Sequence, residues 1–289
     1  MFYKSWSERL FSWVNGTFLI GIACVMLFPF LYLFAISFSS YKEYITNDFM
    51  LWPKDWVTDA YAYVLGSNEF MRSIYFTIAI TLIGTAANLA VTSAMGYSLS
   101  RPVLFRKGVL FLVLFSLLFP AGLIPTYLVV KETGLINSIW ALIIPVLVNP
   151  FNLIVMRQFF VNIPHEVIES AVVDGANDLK IFSNIVIPLS KPALAAFGLF
   201  YAVIHWNSYF PGLLYINNPD KWPVQVVLRQ LIVVSDPDTL SVRQDLVNLP
   251  PPETVQMAAL LLATVPILVL YPFLQKHFAK GVMLGAVKG

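Results

Sequence analysis

A short polar and aromatic stretch, His205-Trp206-Asn207-Ser208-Tyr209, offers side chains that could bind a ligand inside an apolar segment. Aromatic rings can stack on sugar rings, and amide and hydroxyl groups can hydrogen-bond sugar hydroxyls. An ionisable group such as His205 within a membrane segment is a functional candidate, because its burial must be offset by partners or water. We therefore predict a substrate path at His205, Trp206, Asn207 and Tyr209. The alternative is an interfacial aromatic belt, with His205 satisfied by a neighbouring helix.

A second candidate site is the polar stretch EVIESAVVDGANDLKIFSNIVIP at residues 166–188, which separates two long apolar segments. Pro164 suits the first turn of a helix, and Gly175 suits the left-handed position just after one. Asn177 can cap a second short helix that ends at Pro188. The pattern predicts a helical hairpin that could dock into a groove on a partner, although ordinary helical connections between spans share this composition. Its first helix is expected to place Val167, Ala171 and Asp174 on one face and Glu166, Glu169 and Ser170 toward another.

The elements that must position these residues are membrane helices. The 289 residues are 58% hydrophobic and only 12% charged, with a mean hydropathy of +0.74, which is far from the composition of a soluble domain. A membrane span needs about 20 apolar residues. The sequence therefore predicts an all-α integral membrane protein, residues 1–289, forming one domain. Its six predicted transmembrane helices cover about 14–38, 73–100, 108–130, 138–160, 192–215 and 255–275.

Basic residues indicate the orientation of these spans. With both termini cytoplasmic, the inside segments hold 11 of the 18 Lys and Arg residues, counting Arg157 at the inner end of the fourth span, and the outside segments hold 7. This orientation places the loop at 161–191 in the cytoplasm and the loops at 39–72 and 216–254 outside. The two outside loops are long enough to form a docking surface, and simple caps over span ends are the alternative.

Several kinds of activity are disfavoured. The sequence has no GxxxxGK[ST] motif, its three histidines are dispersed, and Cys24 is its single cysteine. We therefore predict no catalytic or metal site, no enzymatic activity of this chain alone, and no nucleic-acid partner. An ATP-independent secondary carrier would normally need acidic groups within its spans, and the predicted spans contain none. A non-transporting membrane scaffold is the other alternative. Weaker polar candidates within the spans are interpreted as interhelical hydrogen bonds: Asn88, Asn149, Asn152 and Gln256.

The hairpin resembles the EAA loop of ABC-importer permeases. The match consists of Glu169-Ser170-Ala171, then Gly175 after three residues, then Ile185-Val186-Ile187-Pro188 after nine more. Ser170 replaces a family Ala and Ile187 replaces a family Leu. The resemblance implies the ABC type I importer fold, with a coupling-helix hairpin that a separate ATPase moves. It assigns ATPase coupling to Glu169, Ser170, Ala171, Asp174, Gly175, Ile185 and Pro188, with Glu169 and Ala171 facing the ATPase groove and Asp174 bracing the loop.

The resemblance extends along most of the chain. Asp174-Gly175-Ala176 looks like the form of the motif in carbohydrate permeases, and residues 281–289 look like the tail of the smaller maltose-type permease, which reaches between ATPase subunits in some members. It implies import of a neutral or acidic oligosaccharide, in the polysaccharide-uptake branch, across a bacterial inner membrane. The implied partners are a second permease, two ATP-binding cassette subunits that carry ATP and Mg, an extracytoplasmic solute-binding protein and membrane lipid. No cofactor is expected on this chain.

Overall fold

The structure, a computed structural model, describes residues 6–47, 49–234 and 250–286, which are helical and contain no strand. The prediction of an all-helical chain is therefore confirmed for these residues. They divide into two compact units. One is drawn from Met1–Asn68 and Leu228–Thr264, and the other from Glu69–Val227 and Val265–Gly289. Both candidate sites lie in the second unit.

The helices follow one another through the chain with short connections. The first are α1 (Trp6–Ser37), α2 (Tyr41–Thr46), α3 (Asp59–Gly66), α4 (Asn68–Ser100), α5 (Arg106–Leu118) and α6 (Leu123–Glu132). Next come α7 (Trp140–Ile143), a 3-10 turn (Ile144–Val146), α8 (Pro150–Val161), α9 (His165–Val173) and α10 (Asp178–Ile181). The last are a π-helical turn (Phe182–Val186), α11 (Ile187–Leu189), α12 (Lys191–Trp206), α13 (Tyr209–Tyr215), a 3-10 turn (Pro219–Lys221), α14 (Val224–Val234) and α15 (Pro252–Ala286).

Among the described residues, three helices are long and apolar enough to cross a membrane, namely α1, α4 and the part of α15 from Pro252 to Val269. Two bent pairs raise this number to five if each pair is one span. The pair Trp140–Val146 and Pro150–Val161 is bent by 57°, and the pair Asp178–Leu189 and Lys191–Trp206 by 81°. The 57° bend lies inside the predicted span 138–160, which is therefore not a straight helix. The 81° bend precedes the predicted span 192–215, which is itself interrupted at residues 207–208.

The third predicted span, 108–130, is wrong as a single helix. It is divided between α5, with 13 residues, and α6, with 10, and each is shorter than a span requires. The cause lies at residues 119–122. Pro120 has no backbone N–H for a helical hydrogen bond, and Gly122 adopts a left-handed φ of 82° that helices do not contain.

A hydrophobic core in the second unit holds the hairpin against the longer helices. It joins α4, α8, α9, the α10 region and α12 through these buried residues: Tyr97, Met156, Phe160, Ile163, Ile168, Ala171, Ile181, Val186, Ala193, Phe197 and Tyr201. The hairpin therefore shares one core with the helices that precede and follow it, and it is not a free loop.

Helices α4 and α12 approach closely along a stripe of four-residue spacing. On α4 the stripe contains Gly84, Asn88 and Thr92, and it faces Tyr201 and His205, one turn apart on α12. The Thr92 and Tyr201 hydroxyls are 2.8 Å apart, and His205 Nε2 lies 2.6 Å from Asn88 Oδ1. Gly84 lies directly beneath the imidazole ring, where the absence of a Cβ leaves room for it.

The predicted outside loops contain helices of their own. Loop 39–72 includes α2, α3 and the start of α4, and the buried Glu43 carboxylate accepts hydrogen bonds from the backbone N–H groups of Lys54 and Asp55, at 2.7 and 3.2 Å. Loop 216–254 includes a 3-10 turn and α14, and its residues 235–249 lie outside the described residues. The backbone of α15 is helical through 281–286 of the predicted tail, and residues 287–289 also lie outside the described residues.

We predict that Gly84→Ala lowers the thermal stability of the protein. An added Cβ would lie 2.6 Å from Cε1 and 2.7 Å from Cδ2 of His205, so the ring or a helix must shift, at about 1–3 kcal/mol. The matched control is Gly198→Ala on α12, whose Cβ would meet Leu89 Cδ1 at an ordinary 3.4 Å. Both changes replace a helical glycine by alanine and gain the same helix propensity. The difference between the midpoint unfolding temperatures of the two purified variants therefore reports the effect of the clash alone. Equal midpoints would contradict the packing described here.

Candidate coupling site and substrate path

Helix α9 has one buried side and one exposed side, but its faces differ from the prediction. Ile168 and Ala171 are buried in the core, whereas Val167 is exposed. The prediction that Ala171 faces a partner is therefore wrong, because its methyl group packs within this chain. Pro164 is the residue before the helix, with a ψ of 133°, and does not form part of the first turn. Glu169 and Ser170 are exposed, as predicted.

The exposed side of the hairpin is unusually apolar for a polar connection. Val173 is 86% exposed and Leu179 is 73% exposed, and Val172 in the last turn of α9 is also exposed. The carboxylate-bearing residues Glu169 and Asp174 lie on the same exposed segment. An apolar patch with an acidic border is the composition of a protein-binding surface.

A tight turn ends α9 and sets the angle of the hairpin. Gly175 has a φ of 79°, its N–H donates to Val172 O at 3.0 Å, and the N–H of Ala176 donates to Ala171 O at 2.9 Å. These two bonds are the Schellman pattern, which satisfies carbonyls at the end of a helix. The prediction that Gly175 takes the left-handed position after this helix is confirmed. Asp174 occupies the preceding cap position through its backbone N–H, and the described contacts give its carboxylate no bracing partner.

The second arm of the hairpin begins as predicted but ends differently. Asn177 Oδ1 accepts a hydrogen bond from Lys180 N at 2.9 Å, which caps α10. Pro188 does not end the arm, because the helix continues to Leu189 before it bends into α12. The π-helical turn Phe182–Val186 precedes this proline, which has no N–H and would otherwise clash with a helical carbonyl. Ile185 is half-buried against the core and Pro188 is exposed.

Three residues that the sequence did not indicate connect the hairpin to the end of α4. Asp178 Oδ1 lies 3.4 Å from Arg101 Nη2 and 3.5 Å from the Tyr97 hydroxyl. The Arg101 guanidinium lies 5.6 Å from the centre of the Tyr97 ring, which also contacts the ring of Phe182. Because the Asp178 carboxylate is exposed, this ion pair contributes at most about 1 kcal/mol. Its effect is to orient the arm, while the buried core supplies most of its stability.

The structure does not bring the predicted substrate-path residues to one surface. His205 is 1% exposed and Trp206 is 3% exposed, so both lie inside the unit, while Asn207 is exposed and Tyr209 is half-buried. The Nε2 atom of His205 is hydrogen-bonded to Asn88. The alternative interpretation of His205, satisfaction by a neighbouring helix, is the one that this geometry supports. The side-chain oxygen Oδ1 of Asn207 accepts a long hydrogen bond of 3.5 Å from Gln225 Nε2.

Asn88 makes more hydrogen bonds to other segments than the sequence indicated. Its Nδ2 donates to Val146 O at 2.7 Å and to Leu147 O at 2.8 Å, at the bend between the two halves of the fourth predicted span. The prediction that Asn88 makes interhelical hydrogen bonds is therefore confirmed. Asn149 lies at the same bend, where its side chain caps α8 by accepting from Asn152 N at 3.1 Å.

Residues 89–284, more than half of the chain, match the model of a protein family described as "Binding-protein-dependent transport system inner membrane component". The chain belongs to this family. The permease includes α9–α12 within the matched region, so the hairpin and its core are part of the family's common fold. Family membership makes it a multi-pass inner-membrane protein and disfavours the non-transporting scaffold.

Two relatives and one solved structure match nearly the whole length of the permease. It is 46% identical over 284 residues to the polygalacturonan/rhamnogalacturonan transport system permease protein YtcP of Bacillus subtilis (strain 168), covering 98% of this chain and 99% of the relative. It is 47% identical over 282 residues to Protein LplC of the same organism, covering 97% and 96%. A chain in the crystal structure of a bacterial ABC transporter involved in the import of the acidic polysaccharide alginate superposes with a TM-score of 0.88, at 34% identity, covering 96% of this chain and 100% of that one.

We predict that Gly175→Ala opens the hairpin turn without disturbing its packing. No atom lies within 4 Å of the added Cβ, so the cost is the left-handed φ alone, about 1–2 kcal/mol. Hydrogen exchange at the amides of Gly175 and Ala176 should accelerate by about tenfold per 1.4 kcal/mol. Gly175→Asn is the matched control, because Asn tolerates this conformation better and should show a smaller change. Unchanged exchange in Gly175→Ala would contradict the assigned turn.

Proposed function

We propose that this permease is the membrane-spanning subunit of an ATP-driven, binding-protein-dependent importer for acidic oligosaccharides. Its six spans place both termini and the hairpin in the cytoplasm, with α5–α6 together forming the third span. ATP hydrolysis, with its Mg, takes place in two separate ATP-binding cassette subunits. The other partners are a second, homologous permease and an extracytoplasmic solute-binding protein.

The observation that carries this proposal is the form of the hairpin. Its inner side is fixed in the core through Ile168, Ala171 and Ile181, and its outer side leaves Val173 and Leu179 exposed. A segment that is rigidly held on one side and apolar on the other can receive a force from a partner and pass it inward. Closure of the ATPase subunits would then displace the hairpin and turn the cavity outward.

The continuity of the chain supports transfer of force from the hairpin into α12. The second arm of the hairpin leads directly into α12 across an 81° bend, with Ser190 between them. Helix α12 has 16 residues and therefore extends about 24 Å into the unit. A displacement of the hairpin at one end of this helix must move its other end, where His205 lies.

Two similarities support an acidic cargo. One relative is named for transport of polygalacturonan and rhamnogalacturonan, and the similar crystal structure is of a transporter that imports the acidic polysaccharide alginate. Substrate contacts in this chain are proposed at the accessible polar groups Asn207 and Tyr209. His205 and Trp206 are buried in this structure and are assigned a supporting role.

We predict that Val173→Asp weakens attachment of the ATPase subunits. The side chain is 86% exposed, so the change should leave folding intact, while a buried carboxylate in the docked complex should reduce ATPase co-purification by about tenfold. The matched control is Leu104→Asp, at an apolar position that is 84% exposed outside the hairpin. The measurement is the ratio of ATPase subunit to permease after purification from native membranes. An unchanged ratio for Val173→Asp would count against the proposed docking surface.

We also predict a preference for acidic cargo. In the reconstituted transporter, the cognate solute-binding protein loaded with an oligogalacturonide should stimulate ATP hydrolysis and uptake. A neutral oligosaccharide of the same length should stimulate neither, since it lacks the carboxylates that an acidic-sugar importer recognises. Stimulation by the neutral oligosaccharide alone would refute the acidic cargo while leaving the importer assignment intact.

A further inference from the structure

A buried polar joint connects three helical segments in the second unit. It consists of Asn88 on α4, His205 on α12, and the backbone carbonyls of Val146 and Leu147 at the bend before α8. His205 Nε2 lies 2.6 Å from Asn88 Oδ1, and Asn88 Nδ2 lies 2.7 and 2.8 Å from the two carbonyl oxygens. Asn88 is 0% exposed and His205 is 1% exposed, so water does not compete for these bonds.

The need for this joint follows from a proline. In a continuous helix the carbonyl of Val146 would accept a hydrogen bond from the backbone N–H four residues later. That residue is Pro150, which has no N–H, so the carbonyl is left without its helical donor. In a membrane protein an unsatisfied carbonyl is costly, and Asn88 supplies the missing donor from a neighbouring helix.

The direction of one hydrogen bond in the joint determines the direction of the next. Both protons of Asn88 Nδ2 are donated to carbonyl oxygens, so Oδ1 must face His205 and accept from it. His205 therefore carries its proton on Nε2, and Nδ1 is left as an unprotonated acceptor. The described structure gives Nδ1 no hydrogen-bond partner, which agrees with this tautomer.

We propose that Asn88, held by His205, is a positioning residue that passes the movement of α12 to the bend at residues 147–149. The inference rests on the proposed coupling role of the hairpin. The second arm of the hairpin continues directly into α12. A displacement of α12 moves His205, His205 moves the Asn88 amide, and the amide moves the two carbonyls that define the bend. The 57° angle between the halves of this span is then set by the position of the hairpin.

The first test separates this relay from general packing. Asn88→Leu keeps the branched shape and the number of heavy atoms of the side chain but removes every hydrogen bond of the joint. We expect it to lower cargo-stimulated transport by about tenfold while basal ATP hydrolysis and assembly change less than about twofold. His205→Gln can still donate to Asn88 and should retain most coupling, whereas His205→Leu should lose it. The matched control is Tyr201→Phe, which removes an α4–α12 hydrogen bond without touching the bend and should transport like the unmodified protein.

Two outcomes of this test would overturn the proposal. One is an assembled Asn88→Leu transporter with unchanged coupling. The other is an equal loss of coupling in Tyr201→Phe, which would mean that any loosening of α4 against α12 has the same effect. If Asn88→Leu fails to assemble, the comparison of His205→Gln with His205→Leu decides the question, because both leave Asn88 bonded to the carbonyls.

A second measurement does not depend on the hairpin binding an ATPase. Nitrogen-15 NMR of labelled histidine in the complete transporter should show His205 as the neutral Nε2-protonated tautomer, and Asn88→Leu should shift its Nε2 resonance. A proton on Nδ1 would overturn the joint as described. If this tautomer is found but Val173→Asp leaves the ATPase attached, the joint stands and the proposed docking surface fails.

Discussion

The second unit depends on how backbone carbonyls are satisfied where prolines interrupt membrane helices. Pro150 removes the donor for Val146, and the Asn88 amide replaces it from another helix. Because lipid offers no alternative partner, this bond cannot be exchanged for one with water. The close approach of α12 that brings His205 to Asn88 requires Gly84, whose missing side chain makes room for the ring. The bend thus depends on the Asn88 amide, and the helix packing that supports this amide depends on Gly84.

The hairpin combines two requirements that usually conflict. In its proposed coupling role, it must be rigid enough to transmit force and must still present an apolar surface to a partner. The structure separates them by helix face: Ile168 and Ala171 are buried, while Val173 and Leu179 are exposed. The Schellman turn at Gly175 fixes the angle between the arms without needing side-chain contacts. Asp178, Arg101 and Tyr97 then orient the second arm against α4.

Local signals in the sequence predicted much of this site. The left-handed cap at Gly175 and the side-chain N-cap at Asn177 are predictable from the sequence, because both depend on neighbouring residues alone. The prediction puts Val167 and Ala171 on one face of α9, whereas the core covers Ile168 and Ala171. Val167 and Ile168 are both apolar, so only the core decides which of them is buried. The sequence predicts a helix end at Pro188, but a π-helical turn accommodates the proline and the helix continues to Leu189.

By itself, the sequence determined the class of molecule, the hairpin and its turn, because composition, apolar length and cap residues act locally. Pro120 and Gly122, which break the apolar run at 108–130, are local signals as well. The inward position of Ala171 and the contact of His205 with Asn88 are set by the folded chain alone. The reason is physical. Neighbours that are distant in the chain determine which carbonyl a side chain must satisfy and which face of a helix is covered. A local sequence pattern does not indicate either of these.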